Sequence, residues 1–157
     1  MDHGKRIAVN IRPLTVQDIS AVAAWVVTIP LWQRYGLTVE KLNGLLQAAI
    51  STDLILTADT DERAVGLAWV VPRGAFGRSA YLKMLGVRPD QVGLGIGARL
   101  LDQLETQVTS DALFLLASDF NADAHRFYER QGYQQIGAIP AYVLPDVTEL
   151  IFYKRLR

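Results

Sequence analysis

The stretch Tyr81–Gln107, YLKMLGVRPDQVGLGIGARLLDQLETQ, constrains this chain more than any other. An apolar strand is expected to end at Val87, and a proline-containing turn follows. Gly93, Gly95 and Gly97 then stand at every second position. Ile96, Leu100 and Leu104 recur every four residues with Leu101 and Val108 beside them, which is helical spacing. Strand, glycine loop and helix start together make an anion site, because a first helical turn has unpaired N–H groups and the positive end of the macrodipole. Glycine lets an acid group approach that backbone. A Walker loop is excluded, since no Lys-Ser/Thr follows the glycines. A dinucleotide fingerprint asks for G-x-G-x-x-G directly after the first strand of a βαβαβ unit; here the spacing is G-x-G-x-G and a hairpin precedes it. A tight turn with close helix packing and no ligand also accounts for the glycines.

The 157 residues suffice for one domain, expected to span 1–157; a chain of this size buries roughly 68–70% of its unfolded surface. Half the residues are apolar and a fifth charged, a globular composition. Sixteen basic and sixteen acidic residues cancel, so no global field favours nucleic acid or an anionic membrane. The absence of cysteine excludes disulfides, a thiolate nucleophile and cysteine metal sites. The N-terminus MDHGKRIAVN has no signal-peptide core, and the longest apolar-rich stretch, Ala21–Trp32, contains Thr28 and Pro30. It falls short of the roughly 20 residues that span a bilayer. The expectation is a soluble cytoplasmic protein with no membrane or nucleic-acid partner.

In chain order, Arg6–Arg12 reads as a strand stopped by Pro13, and Thr15 with Asp18 opens a helix to about Val27. Ile29-Pro30 breaks that helix, and Leu31–Gly36 reads as irregular. Thr38 caps a second helix, Val39 to about Ile50, with Leu42, Leu45, Leu46 and Ala49 on one face. Leu54–Ala58 and Ala64–Val71 read as a hairpin around the charged turn Asp59–Arg63, the second strand ended by Pro72. A Gly-rich loop, Arg73–Arg78, precedes the strand Ser79–Val87, and the helix after the glycine loop runs to about Thr109. Ala112–Ala117 is an apolar strand of the kind covered on both faces. Asn121–Gln131 is helical and closed by Gly132; Tyr133–Ile139 and Thr148–Leu156 are strands. The order β-α-α-β-β-β-α-β-α-β-β predicts an α+β domain: a mixed, mostly antiparallel sheet of about seven strands flanked by about four helices in αβα layers.

Asn121–Gly137 reads NADAHRFYERQGYQQIG. With the glycine loop this resembles the GNAT N-acetyltransferase superfamily, in which a strand ending V-x-P leads into Q/R-x-x-G-x-G/A and a helix. A later N-x-x-A-x-x-F-Y-E-x-x-G-F/Y segment follows. The first motif matches at Val87, Pro89, Gly93, Gly95, Ile96 and Gly97. The second matches at Asn121, Ala124, Phe127, Tyr128, Glu129, Gly132 and Tyr133. The Q/R position falls on Val92, so phosphate contacts must come mainly from backbone N–H groups of Val92, Gly93, Leu94, Gly95, Ile96 and Gly97.

The resemblance implies direct transfer of an acetyl group from acetyl-CoA to an amine, a small molecule or a protein amino group, with no covalent enzyme intermediate. It implies backbone contacts from Leu85 and Val87 to the pantetheine arm, and Tyr128 as proton donor to the departing thiolate. Asn121 caps its helix and in the family also reaches the cofactor arm; Arg130, with Arg126 and Arg99, is a candidate at the phosphates. Phe127 is expected in the core and Tyr128 toward the cleft, since adjacent helical residues point about 100° apart. The general base is open: Asp119 comes first, Glu149 and Asp146 after it. Trp25, Trp32 and Tyr35 line either the acceptor wall or the core. His3 and His125 lack metal-ligand partners at suitable spacing, so no catalytic metal is expected. A homodimer is common among such relatives. The alternative is an acyl-CoA-binding sensor without turnover, motivated by Val92 and by Lys83 and Met84 where relatives place a carboxylate.

Overall fold

The structure, a computed structural model, describes residues 8–61 and 63–157. His3, the predicted strand start at Arg6 and Ile7, and Glu62 of the charged turn lie outside the described residues. Among those described, seven strands join in one mixed sheet: β1 (Asn10–Pro13), β2 (Leu54–Thr60), β3 (Arg63–Ala75), β4 (Ser79–Val87), β5 (Ala112–Ser118), β6 (Gln134–Pro140) and β7 (Thr148–Arg155), in the spatial order β1-β2-β3-β4-β5-β7-β6. Five helices accompany them: α1 (Ile19–Val26), α2 (Pro30–Arg34), α3 (Val39–Ala49), α4 (Ile96–Gln107) and α5 (Ala122–Arg130). The chain divides into two compact units. One comprises the residues up to Ala68 with Leu85–Leu104, the other Trp69–Met84 with Glu105–Arg157.

The first unit starts with an ionic knot. Arg12 on β1 donates to both carboxylate oxygens of Asp18 at 2.7 and 2.8 Å, and also to Asp59 on β2. The same Asp18 accepts from the Thr15 amide and hydroxyl, both at 2.8 Å, closing a capping box. One carboxylate thus fixes the entry to the first helical segment and β1 together. Trp25, expected on either a wall or the core, is in the core, and its indole N–H donates to the Ala64 carbonyl at 3.0 Å. Leu42, Leu46 and Ala49 of α3 are buried, whereas Leu45 is exposed.

Two expectations change. Leu31–Gly36 is not irregular: Pro30 is the first residue of α2, where its missing N–H costs nothing and its fixed φ suits a helix. Pro72 does not end β3, which continues to Ala75; a proline is tolerated in a strand where its amide is not needed by the ladder.

Helix α4 lies against β3. Ile96, Leu100, Leu101 and Leu104 are buried, and a Cβ built on Gly66 would stand 2.7 Å from a Leu100 methyl, 3.1 Å from the Ala58 Cβ and 3.3 Å from an Ile96 methyl. Residue 66 therefore sets how closely α4 approaches the sheet.

In the second unit β4 pairs parallel with β5 over Ala80–Leu82 against Leu113–Leu115. β5 and β7 are antiparallel from Ala112↔Arg155 to Ser118↔Glu149, and β6 pairs antiparallel on β7's other side. One sheet face carries Leu82, Leu113, Leu115 and Phe152, all buried. α5 packs there, with the His125 ring stacked 5.8 Å from Phe152 and Tyr128 6.2 Å from the same ring. Lys154 donates to both oxygens of Glu105 at 3.1 and 2.8 Å and to the Gln131 carbonyl at 2.9 Å, and Tyr133 donates to Glu105 at 3.0 Å. Among the described residues no helix is long and apolar enough to cross a membrane.

Two outcomes follow. Gly66→Ala overpacks the α4 contact and is expected to cost about 1–3 kcal/mol, lowering Tm by a few to about 10 °C in a thermal melt. Arg12 holds the Asp18 carboxyl well below the ordinary carboxylate value, with Thr15 adding to it. A depressed folded pKa contributes stability that is present above the unfolded value of 3.8 and lost as pH falls through the folded one. Urea midpoints should show Asp18→Asn less stable than wild type at pH 7, with the gap narrowing as pH drops below that value.

Candidate functional site

After Val87 the chain turns through a single 3-10 turn, Pro89–Gln91, pinned by a bidentate Arg88–Asp90 pair at 2.6 and 3.0 Å. The Arg88 amide donates to the Val65 carbonyl at 2.8 Å. Backbone polar groups alternate sides along a strand. Gly86 and Arg88 therefore direct theirs to β3, and Leu85 and Val87 direct theirs the other way. A Cβ on Gly86 would meet the Trp25 ring at 3.7 Å, so α1 seats against the strand there.

Val92 is extended, at φ −72° and ψ 157°. Gly93 and Gly95 have φ of 78° and 80°, the left-handed region where a side chain is strained. A Cβ on either would meet nothing within 4 Å, so both face open space. The Arg99 amide donates to the Gly95 carbonyl at 3.1 Å, the first i→i−4 bond of α4. Gly95 is thus the capping position, and it has no side chain with which to cap. The amides of Ile96, Gly97 and Ala98 precede that bond and have no intrahelical acceptor. Ile96 is 1% exposed while Val92 and Leu94 are 62% and 48% exposed, so the helix is anchored through Ile96 and its loop stands proud. Several convergent N–H donors at a positive helix end, with two glycines leaving room, suit a phosphate or diphosphate.

The second unit carries the other predicted residues. The Asn121 side chain accepts from the Ala124 amide at 3.2 Å, the cap that starts α5. Arg130 is exposed in the last turn. Asp119 is exposed; its amide donates to the Thr148 carbonyl at 2.9 Å and its carboxylate accepts from the Thr148 amide at 3.3 Å, closing the end of the β5–β7 ladder. Asp146 is exposed near the end of the β6–β7 connection.

Phe127 and Tyr128 depart from the expected division. Both are half-buried, edge to face at 5.1 Å. It is Tyr128 that packs on Phe152 and Tyr133, because the spacing of three from His125 puts residues 125 and 128 on the helical face turned to β7. Burial, with the Tyr81 phenol adding to it, holds the Tyr128 phenol well above its ordinary value, so the hydroxyl keeps its proton at neutral pH. His125 Nε2 lies 2.8 Å from the Ser118 carbonyl and donates to it, which fixes the ring's tautomer. Among the described residues no three His, Asp or Glu side chains gather as a metal site.

Tyr81 stands out only in the structure. Burial pushes its phenol up to about 12, with the Glu149 carboxylate and the Tyr142 phenol adding to it. In sequence it was one aromatic among apolar neighbours. In the first unit, Trp32 and Tyr35 lie 6.4 Å apart at a tilt, and Tyr35, Leu37 and Leu45 line an open groove of about 480 Å³.

Residues 22–133 match the acetyltransferase (GNAT) family. Among curated proteins none matches the sequence. Several solved structures share the fold. A GNAT-family acetyltransferase structure from Desulfovibrio desulfuricans aligns with TM-score 0.78 at 21% identity, covering 96% of this chain and 99% of that one. An N-acetyltransferase from Staphylococcus aureus aligns with TM-score 0.81 at 14% identity, covering 96% and 99%. An acetyltransferase structure from Salmonella typhimurium, solved with its cofactor acetyl-CoA, aligns with TM-score 0.76 at 15% identity, covering 96% and 95%. Matched over well beyond half its length, on a fold that these structures share, the chain belongs to the acetyltransferase (GNAT) family.

Proposed function

We propose that this protein transfers the acetyl group of acetyl-CoA directly to an amine. The observation that carries the reading is the uncapped start of α4, where the amides of Ile96, Gly97 and Ala98 meet a loop opened by Gly93 and Gly95. That donor set suits the diphosphate of coenzyme A, with the Val92, Gly93 and Leu94 backbone adding to it and Arg130 near the phosphates. The backbone groups of Leu85 and Val87, turned away from β3, take the pantetheine arm as an added strand would be taken, and Asn121 meets the same arm beyond its cap.

Acetyl-CoA supplies an activated thioester; the chain has to orient it and manage two protons. Tyr128 gives a hydrogen bond, or its proton, to the sulfur as the thiolate departs. A free thiol is the stronger acid, at about 8.5 against about 10 for tyrosine. Tyr128, held higher still, therefore acts by a hydrogen bond that strengthens as charge grows on sulfur. Asp119, exposed at the end of β5, takes the proton of the attacking amine through water.

A second reading has one observation in its favour. Val92 is exposed and has no side-chain donor, and β4 carries Lys83 rather than a carboxylate; this suits an acyl-CoA sensor without turnover. Single-turnover assays over a panel of amines separate the two, because a sensor binds the thioester and transfers nothing.

Gly95→Glu places a charged side chain where φ is 80° and fills the open cradle. Coenzyme A affinity is expected to fall at least 100-fold by calorimetry; unchanged affinity removes the loop from the site. Tyr128→Phe keeps the ring and loses the donor. kcat should fall by roughly 10–100-fold with acetyl-CoA affinity within about twofold, and equal kcat makes Tyr128 a packing residue.

A further inference from the structure

The sheet of the second unit has two unlike faces. α5 covers the face that holds Leu113, Leu115 and Phe152. The register fixes what shares the other. Tyr81 is opposite Phe114, which is opposite Tyr153; Leu116 is opposite Ile151; Ser118 is opposite Glu149. Directly opposed residues point to the same side of a sheet. The ring contacts agree, with Phe114 5.0 Å from Tyr153 and Phe76 edge-on to Phe114 at 5.5 Å. Tyr81, Phe114, Leu116, Ile151 and Tyr153 are only half-buried. No helix of the second unit packs on them among the described residues.

One end of this apolar stripe is acidic. Glu149 is 4% exposed, one of three buried polar residues among those described, and it lies beside Ser118 at the carboxyl end of β5. Open α/β sheets place ligands at that end of a parallel strand. The Tyr81 phenol lies within electrostatic reach of the Glu149 carboxylate, and the Tyr142 hydroxyl acts on the same phenol. From Glu149 to Tyr153 is four residues, about 13 Å of strand. Lys83 on this face sits 4.4 Å from the Trp69 ring centroid, and Arg155, opposite Ala112 at the far end of β7, shares the face and is exposed.

We propose that this face binds a primary ammonium carried on an apolar or aromatic body: the ammonium at Glu149 beside Tyr81, the body along Leu116 and Ile151 toward Phe114. A buried carboxylate with aromatic rings beside it attracts a cation twice, through charge and through the ring faces. It repels an anion and gives a neutral alcohol only a hydrogen bond. The stripe beyond Glu149 is apolar, so a second charge four or five bonds along would be desolvated without a partner. The site therefore favours a monocation such as an arylalkylamine over a diamine. That the bound ammonium is the acetyl acceptor rests on the acyl-transfer reading above. Its neighbour Ser118 precedes Asp119, the residue proposed to take the amine's proton.

The test is titration of the full chain, with and without coenzyme A, with phenethylamine, its neutral counterpart phenethyl alcohol, and 1,4-diaminobutane, followed by NMR or calorimetry. Wild type is expected to bind phenethylamine at least tenfold tighter than the alcohol and tighter than the diamine. In Glu149→Gln the amine's advantage over the alcohol should shrink to within about threefold. Equal wild-type affinity for amine and alcohol overturns the site, as does an advantage that survives Glu149→Gln; the wild-type comparison decides even if the variant does not fold. Coenzyme A titrated alone reports separately on the acyl-transfer reading. A chain that prefers the ammonium yet binds no coenzyme A keeps this site and loses that function.

Discussion

The approach of α4 to β3 depends on a missing side chain. Any Cβ at position 66 meets Leu100, Ala58 and Ile96 at once, so the helix sits where it does because residue 66 is glycine. That contact fixes the helix through Ile96, one residue past the capping position. The amides of the first turn are consequently held on a rigid base rather than on a mobile loop, and preorganised donors do not have to be reoriented when an anion arrives. The glycines at 93 and 95 do the complementary work: they accept a backbone path that leaves the space in front of those amides empty.

Much of this was readable in advance, and for identifiable reasons. The period of four from Ile96 to Leu104 gave α4, and the all-apolar run gave β5 to within one residue. Thr38 and Asn121 stood where their side chains accept from orphan amides, and Thr15 stood three residues before Asp18, whose carboxylate takes its amide and hydroxyl, so the helix starts were legible as well. The glycine loop could be placed on a helix start without knowing its φ angles. Proline was the systematic difficulty. Ile29-Pro30 does separate α1 from α2, but Pro30 also begins α2 where Leu31–Gly36 reads as irregular, and β3 runs through Pro72 instead of ending there, because one residue type suits a helix's first turn and can also be borne by a strand.

What sequence could not supply was register. The pairing of Ser118 with Glu149, and of Tyr81 with Phe114, depends on how strands distant in the chain align, and a shift of one residue would turn every side chain over. The division between Phe127 and Tyr128 failed for the same kind of reason. Helical geometry fixes the angle between neighbours but not which of them meets the sheet, and here His125 and Tyr128 share Phe152.

The ammonium of Lys154 offers a different consequence. It has three hydrogens, and it makes contacts of 3.1, 2.8 and 2.9 Å to the two Glu105 oxygens and to the Gln131 carbonyl. An amine so engaged cannot present a lone pair unless the α5 end and Glu105 let go together. On the acyl-transfer reading proposed above, thioesters expose the chain's own lysines to stray acylation, and Lys154 is shielded by geometry rather than by distance from the reagent.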